Sequence, residues 1–444
     1  MVERIHEIVW GPGTLFFFLF VGALYSVRLG LFPLLGIPVW WKTTVGSLFS
    51  KRREAEKGVS QFQSACTALA ATIGTGNIAG VATALLAGGP GAVFWMWVSA
   101  FLGMATAYGE TELGIRYRRR GEDGHWMAGP MLYLEYGLSC RAGGILYAGF
   151  CVLASFGMGS MVQANAISET LQFSLSLPAV AAAVILLALS WRVLAGGVRS
   201  IAKTAERMVP FSAGLYMAMS IIALFLFRGR LWEALGMIVS DAFSLKSAAG
   251  GAAGYGISRS LRYGIARVVF SNEAGLGTMA VLNGTAEEAD EGVQGQWAIF
   301  EVFFDTIVSC TLTALVILCC MGPRIYSFSG NGAQLVGLCF SQALGSPGGY
   351  VSSVCVALFA FATIIAWYYM GKQSAAYLGA ACGRDLAKLY LFGYLAAVFF
   401  GSLWPMKQVW AVSDLCNGLM AAPNLLALTL LSGKVRRPDS RKRI

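Results

Sequence analysis

The sequence predicts an all-α polytopic membrane protein, with two five-helix repeats of opposite orientation and one extra N-terminal helix. Three observations predict it. Of 444 residues, 57% are hydrophobic and only 13% are charged, about half the charged share of a soluble domain. Apolar runs that match or exceed the roughly 20 residues of a bilayer crossing recur from end to end. Two of those runs are interrupted by glycine and polar residues. Inside a bilayer, an open backbone is tolerated only where it lines a cavity or is buried in protein.

About 11 transmembrane helices are expected, near 13–36, 60–87, 91–116, 143–172, 177–195, 206–227, 264–284, 297–321, 350–377, 387–404 and 407–432. The first apolar stretch is too long for a removed signal peptide and lacks a small-residue cleavage site. Extramembrane helices are expected near 230–245 and 332–344. The first span stands apart, and the next ten divide into five and five, each five opening with a glycine-broken helix. An odd number of spans inverts the second set, the layout of an inverted-repeat transporter. The expected divisions are an extra helix in 1–37, a first repeat in 38–227, a connection in 228–263, a second repeat in 264–432 and a basic tail in 433–444.

Lys and Arg set the orientation. Lys42, the basic residues of 51–57, Arg116, Arg118, Arg119, Arg120, the group from Arg192 to Arg207, and the tail all fall on one side of this layout. The other side carries scattered cations such as Arg228, Arg259 and Arg324. The reading is an N-terminus outside and a cytoplasmic C-terminus in the inner or plasma membrane. The net charge of +10 is spread over these connections, which gives no support to nucleic-acid binding. The ten cysteines are scattered with no CxxC pair, so they read as small apolar packing residues. With no nucleophile triad, metal cluster or Walker motif, the sequence argues against an enzyme or an ATP-driven pump.

The chemistry concentrates at the breaks. In Gly74-Thr75-Gly76-Asn77, each glycine costs a helix about 1 kcal/mol relative to alanine, and the β-branched neighbours Ile73 and Thr75 add to the tendency to unwind. Unwinding frees N–H groups at a half-helix N-terminus, which suits a carboxylate. It also frees carbonyls of residues 70–73, which suit a hard cation or an ammonium group. An α-amino acid satisfies both ends. The same small residues also suit a helix-packing stripe. The second break, 271–278, repeats the pattern and adds Glu273, an intramembrane carboxyl group. It reads as a cap on the following half-helix or a partner of Arg267 rather than a ligand for a substrate carboxylate.

Two further polar islands stand out. One, around Gln163 and Asn165, offers amides to the bundle interior or to a neighbouring helix. The other places Thr363 and Trp367 four residues apart on one helix face. Thr363 suits either a ligand or a bond to its own helix, and Trp367 suits the wall of a small pocket. Glu110, Glu112, Glu301 and Asp305 read as paired within the protein or near the interfaces.

The runs Gly74-Thr75-Gly76-Asn77-Ile78-Ala79-Gly80-Val81-Ala82 and Gly88-Gly89-Pro90-Gly91-Ala92-Val93-Phe94-Trp95-Met96-Trp97 closely resemble the signature of the alanine or glycine:cation symporter family. Ser271 to Gly277 and Met161 to Asn165 are also similar to its motifs, and the likeness covers nearly the whole chain. The resemblance implies sodium-coupled uptake of small neutral amino acids by a bacterial leucine transporter-like fold with an extra first helix. It implies substrate contacts from Asn77, Gln163 and Thr363, main-chain contacts from Thr72, Thr75, Gly76, Phe270 and Gly275, and Trp367 as the limit on substrate size. Na⁺ would sit among carbonyls of Ala70, Ile73 and Ala360 together with Thr363. The partners expected are the amino acid, Na⁺ and the lipid bilayer, with a monomer as the working unit and no cofactor. The chain has Ala362-Thr363 where the family pattern has two hydroxyl residues, which removes one candidate Na⁺ ligand.

Overall fold

The computed structural model describes residues 9–49, 58–121, 124–243, 253–287 and 290–438. The expected basic group at 51–57 and the end of the tail lie outside the described residues. So does part of the connection at 228–263.

Helix α1 (Pro12–Arg28) opens with proline in its first turn, where a missing N–H costs nothing. The expected span to residue 36 stops here instead. Gly30 and Leu31 take positive φ, and two short helices, Phe32–Leu35 and Ile37–Thr43, carry proline at their second positions. The first broken span follows as α2 (Gln61–Thr72) and α3 (Val81–Gly88). A capping box fixes the start of α2, with Ser60 and Gln63 exchanging hydrogen bonds of 3.1 Å.

Then come α4 (Gly91–Tyr117) and α5 (Arg141–Ala154), which runs through a π-helical stretch, Ser155–Val162, into α6 (Gln163–Leu175). Helices α7 (Ala179–Leu194) and α8 (Gly197–Leu226) complete the first set, and α9 (Leu231–Ala242) is the first expected extramembrane helix. The second broken span is α10 (Ala253–Asn272) and α11 (Thr278–Asn283). It starts eleven residues before the expected 264, because polar residues such as Ser258, Arg259 and Arg262 hide the helix from a hydropathy reading.

Helix α12 (Glu291–Val302) is capped by Asp290 and continues through π-helical Phe303–Cys310 into α13 (Thr311–Met321). Helix α14 (Gly332–Leu344) is the second expected extramembrane helix, opened by an Asn331–Gln334 capping box. The long α15 (Ser346–Cys382), α16 (Leu386–Gly401) and α17 (Met406–Leu431) close the chain. A two-stranded hairpin, β1 (Arg119–Arg120) and β2 (Trp126–Met127), follows α4.

Among the described residues six continuous stretches are long and apolar enough to cross a membrane, and the pair Gln61–Thr72 and Gly76–Gly88 qualifies as one unit bent by 46°. The shorter apolar helices α1, α7 and α16 and the α10/α11 pair stand at the other four expected spans. Large apolar side chains face outward, among them Phe16, Val27, Phe211, Phe225 and Leu389. That surface fits lipid rather than water.

Polar residues are instead buried at the centre, where α2 packs against α8, α11, α12 and α15, and α10 packs against α3 and α4. Helix α1 lies outside this core, on α4 and α17.

Candidate substrate and cation site

At the first break the helix ends at Thr72. Ile73 leaves helical geometry at ψ 85°, and a π-helical turn, Gly76–Gly80, restarts it. Space dictates Gly74: a Cβ there would lie 2.7 Å from Thr363 Oγ1 and 3.6 Å from Gln163 Oε1. The Thr363 hydroxyl donates to the Ala70 carbonyl at 3.0 Å and to Phe359 of its own helix at 3.1 Å. The bond to its own helix that the sequence allows is present, beside one to α2. The latter ties α15 to one of the carbonyls left without a helical partner where α2 ends.

Gln163 faces the same gap. Its Oε1 accepts from the Thr75 hydroxyl at 3.1 Å and the Thr75 N–H at 3.5 Å. Its amide donates to the Met158 carbonyl at 3.2 Å, inside the π-helical stretch, where widened turns alter the ladder and leave carbonyls for side chains. Asn165, two residues on, turns the other way and donates to the Gly401 and Trp404 carbonyls at 3.0 and 2.6 Å. The polar island thus divides into a site-facing amide and an interhelical tie.

Asn77 is bound at both ends. Its Oδ1 accepts from the Gly74 N–H at 3.0 Å, and its Nδ2 donates to Asp305 Oδ1 at 2.6 Å. Ser271 of the second break donates to the two Asp305 oxygens at 3.2 and 3.1 Å, and Thr306 donates to Oδ2 at 2.8 Å. One fully buried carboxyl group, carried by the π-helical stretch of the α12–α13 span, thus joins the two breaks. The sequence alone reads Asp305 as paired within the protein or near an interface. An acid in the middle of an apolar span was the signal for a larger role.

At the second break Glu273 takes φ 58°, and Gly275 and Gly277 take φ 94° and 88°. The left-handed region is natural for the glycines and costly for Glu273. Glu273 is buried and accepts from the Trp367 indole at 2.7 Å, a pairing that sequence reading missed. The Arg267 guanidinium lies 5.8 Å from the centre of the Phe270 ring.

All the expected site residues are buried. The structure brings together Ala70, Gly74, Thr75, Asn77, Gln163 and Thr363. Gly76 joins them from one side, where a Cβ would touch Ser271 at 3.4 Å. Thr72 bonds weakly back to Ala68 and Leu69. Ile73 and Ala360 lie in the same buried core. Gly275 turns elsewhere, packing against Phe18 of α1 and Leu425 of α17, with its carbonyl taken by Asn424 at 2.9 Å.

The hairpin end of the bundle carries a separate cluster. Arg118 donates to the Gly284 and Ala286 carbonyls at 3.2 and 2.6 Å. Glu287 N donates to the Val59 carbonyl at 2.9 Å, and Arg120 pairs with the Glu287 carboxylate. Both guanidiniums lie over the Trp126 ring, 4.1 and 4.5 Å from its centre. Burial holds the Arg118 guanidinium below its usual range, against the opposing pull of Glu287.

Two broken spans packed on each other around buried polar groups, in a chain of apolar helices, define a secondary transporter of the inverted-repeat kind. The chain belongs to the sodium:alanine symporter family, whose sequence profile matches residues 1–439. The sodium/alanine symporter AgcS of Methanococcus maripaludis is 37% identical over 98% of this chain and 95% of its own length. The probable sodium/glutamine symporter GlnT of Bacillus subtilis is 35% identical over 85% of this chain and 77% of its own. In fold the chain is similar to MhsT, crystallised with L-phenylalanine, at a TM-score of 0.64 and 14% identity, covering 86% of this chain and 90% of that one. The protein is a multi-pass membrane transporter, a sodium-coupled amino acid symporter with the leucine transporter-like fold, and not an enzyme.

Proposed function

We propose that the protein carries alanine and glycine into the cell with Na⁺ by alternating access, as a monomer in the cytoplasmic membrane. The N-terminus lies outside and the C-terminus inside, following the Lys/Arg bias. The repeats span 38–227 and 264–432.

The observation that carries this reading is the break at residues 73–76, flanked by Thr363 and Gln163. The substrate carboxylate takes the N–H groups around Thr75, Gly76 and Asn77 at the start of the half-helix. Gln163 and carbonyls of the second break around Phe270 take the ammonium. Na⁺ takes oxygens of Ala70, Ile73, Ala360 and Thr363. The Thr363 hydroxyl and the Ala70 carbonyl already converge at 3.0 Å, a spacing suited to two ligands of one cation. Trp367 walls the pocket. It is fully buried and braced by Gly159, where any side chain would strike it, so side chains much larger than a methyl group are excluded.

The test is alanine uptake into proteoliposomes with and without an imposed Na⁺ gradient. Accumulation that follows Na⁺ supports the reading. Uptake that ignores Na⁺ and follows a proton gradient overturns the ion assignment, and binding without accumulation points to a sensor.

A further inference from the structure

Glu110 of α4 has no assigned role, and its surroundings are unusual. Its side chain is fully buried. Oε1 accepts two bonds, from the Gly277 N–H at 3.0 Å and from Asn424 Nδ2 at 2.5 Å. Oε2 is sealed from solvent and meets no hydrogen-bond partner of ordinary geometry, with the Gly275 N–H as a further donor beside the carboxyl group. Asn424 also donates to the Gly275 carbonyl at 2.9 Å, and its own oxygen accepts from the Tyr133 hydroxyl. The Leu276 carbonyl accepts from Tyr147 at 3.0 Å. Three successive residues of the second break are therefore latched to α4, α5, α17 and the turn before α5.

The groups around Glu110 offer no compensating charge. Tyr25 of α1, Tyr133, Tyr147 of α5 and Glu273 of the break are the titratable neighbours. The Tyr25 hydroxyl donates its hydrogen bond to the Leu428 carbonyl at 2.9 Å. Further along α4, Glu112 is paired with Arg116 at 2.7 Å. Among the described residues no Lys, Arg or His pairs with Glu110. A carboxylate ion held dry with one oxygen unbonded costs several kcal/mol.

We propose that Glu110 is a proton-binding site that controls the second broken helix. Oε2 carries a proton while the latch is closed, as it is here. When α11 moves away from α4 and water enters, the proton passes from Oε2 to water and leaves the carboxylate; closing the latch takes a proton back from solvent. Alkaline conditions therefore hold the latch open and slow the cycle. The inference rests on the alternating-access reading above.

The test is alanine uptake by full-length protein in proteoliposomes at a fixed Na⁺ gradient, from about pH 6 to about pH 9. Wild-type rate should fall about tenfold per pH unit above its midpoint, as for loss of one proton, while Glu110→Gln should vary less than about twofold. Glutamine keeps the Oε1 acceptor for Gly277 and Asn424. An infrared difference between wild type and Glu110→Gln should show a protonated carboxyl band at neutral pH. Tyr133→Phe, which loosens the latch but keeps Glu110, should shift the midpoint and preserve the pH response.

A wild-type pH profile in Glu110→Gln, or no such infrared band, overturns the proposal. Uptake indifferent to Na⁺ would defeat the transport reading instead, and the infrared result stands apart from it.

Discussion

The Trp367 indole N–H donates to the Glu273 carboxylate across 2.7 Å, tying the long helix α15 to the unwound part of the second broken span. The residue proposed to wall the pocket and the strained residue of the break are therefore one mechanical unit. A buried donor stripped of its partner costs about 1–3 kcal/mol.

Glu273→Ala should raise the KM for alanine about tenfold or more and admit larger side chains as Trp367 loosens. Glu273→Gln keeps an acceptor for the indole and should stay within about threefold of wild type. Uptake competition with a panel of D- and L-amino acids reads both effects.

Gln163→Ala should cripple uptake by about tenfold or more while the protein still folds, because only the local bonds to Thr75 and Met158 are lost. Thermal unfolding in detergent, measured beside transport, separates the two. Intact transport in this variant would contradict the pocket assignment.

Thr363→Val keeps the branched shape and removes the hydroxyl that meets Ala70. Apparent Na⁺ affinity should weaken about tenfold, the loss of one charge-bound ligand. Ala362→Thr should act in the opposite sense by restoring a hydroxyl. Gly74→Ala places a methyl 2.7 Å from Thr363 Oγ1 and should abolish transport. Na⁺ titration of uptake measures all three.

Arg118 holds two carbonyls just beyond α11, beside the backbone contact between Glu287 and Val59. Arg118→Ala should free this end of both broken spans. Hydrogen exchange in residues 59–64 should speed up about tenfold, for a loss near 1.4 kcal/mol. Unchanged exchange would show that Arg118 does not restrain this end of the broken spans.

Much of the fold was legible because bilayer thickness imposes span lengths and because broken helices need glycine and polar residues. The breaks at Gly74 and Gly275 were visible for that reason, as were α9 and α14. Residues 253–263 were not, since a helix of mixed polarity has no hydropathy signal. The ending of α1 at Arg28 depended on backbone angles at Gly30 and Leu31 that the apolar run conceals.

Within the site, Thr363 and Gln163 stood out as polar residues in apolar spans. Their partners did not, because Thr363 with Ala70 and Trp367 with Glu273 are joined by tertiary packing and no local spacing encodes it. Asp305 was visible as an acid in an apolar span, but its link to Asn77 and Ser271 exists only once three spans are assembled.

In the proposed function one amino acid and Na⁺ share the gap between α2 and α15. Calorimetric titration of alanine into the purified protein, in Na⁺ and in K⁺, decides whether they do. Alanine should bind at least about tenfold tighter in Na⁺, and alanine should tighten Na⁺ binding by the same factor, because coupling between two ligands is reciprocal. Equal alanine affinity in the two salts would contradict the shared site.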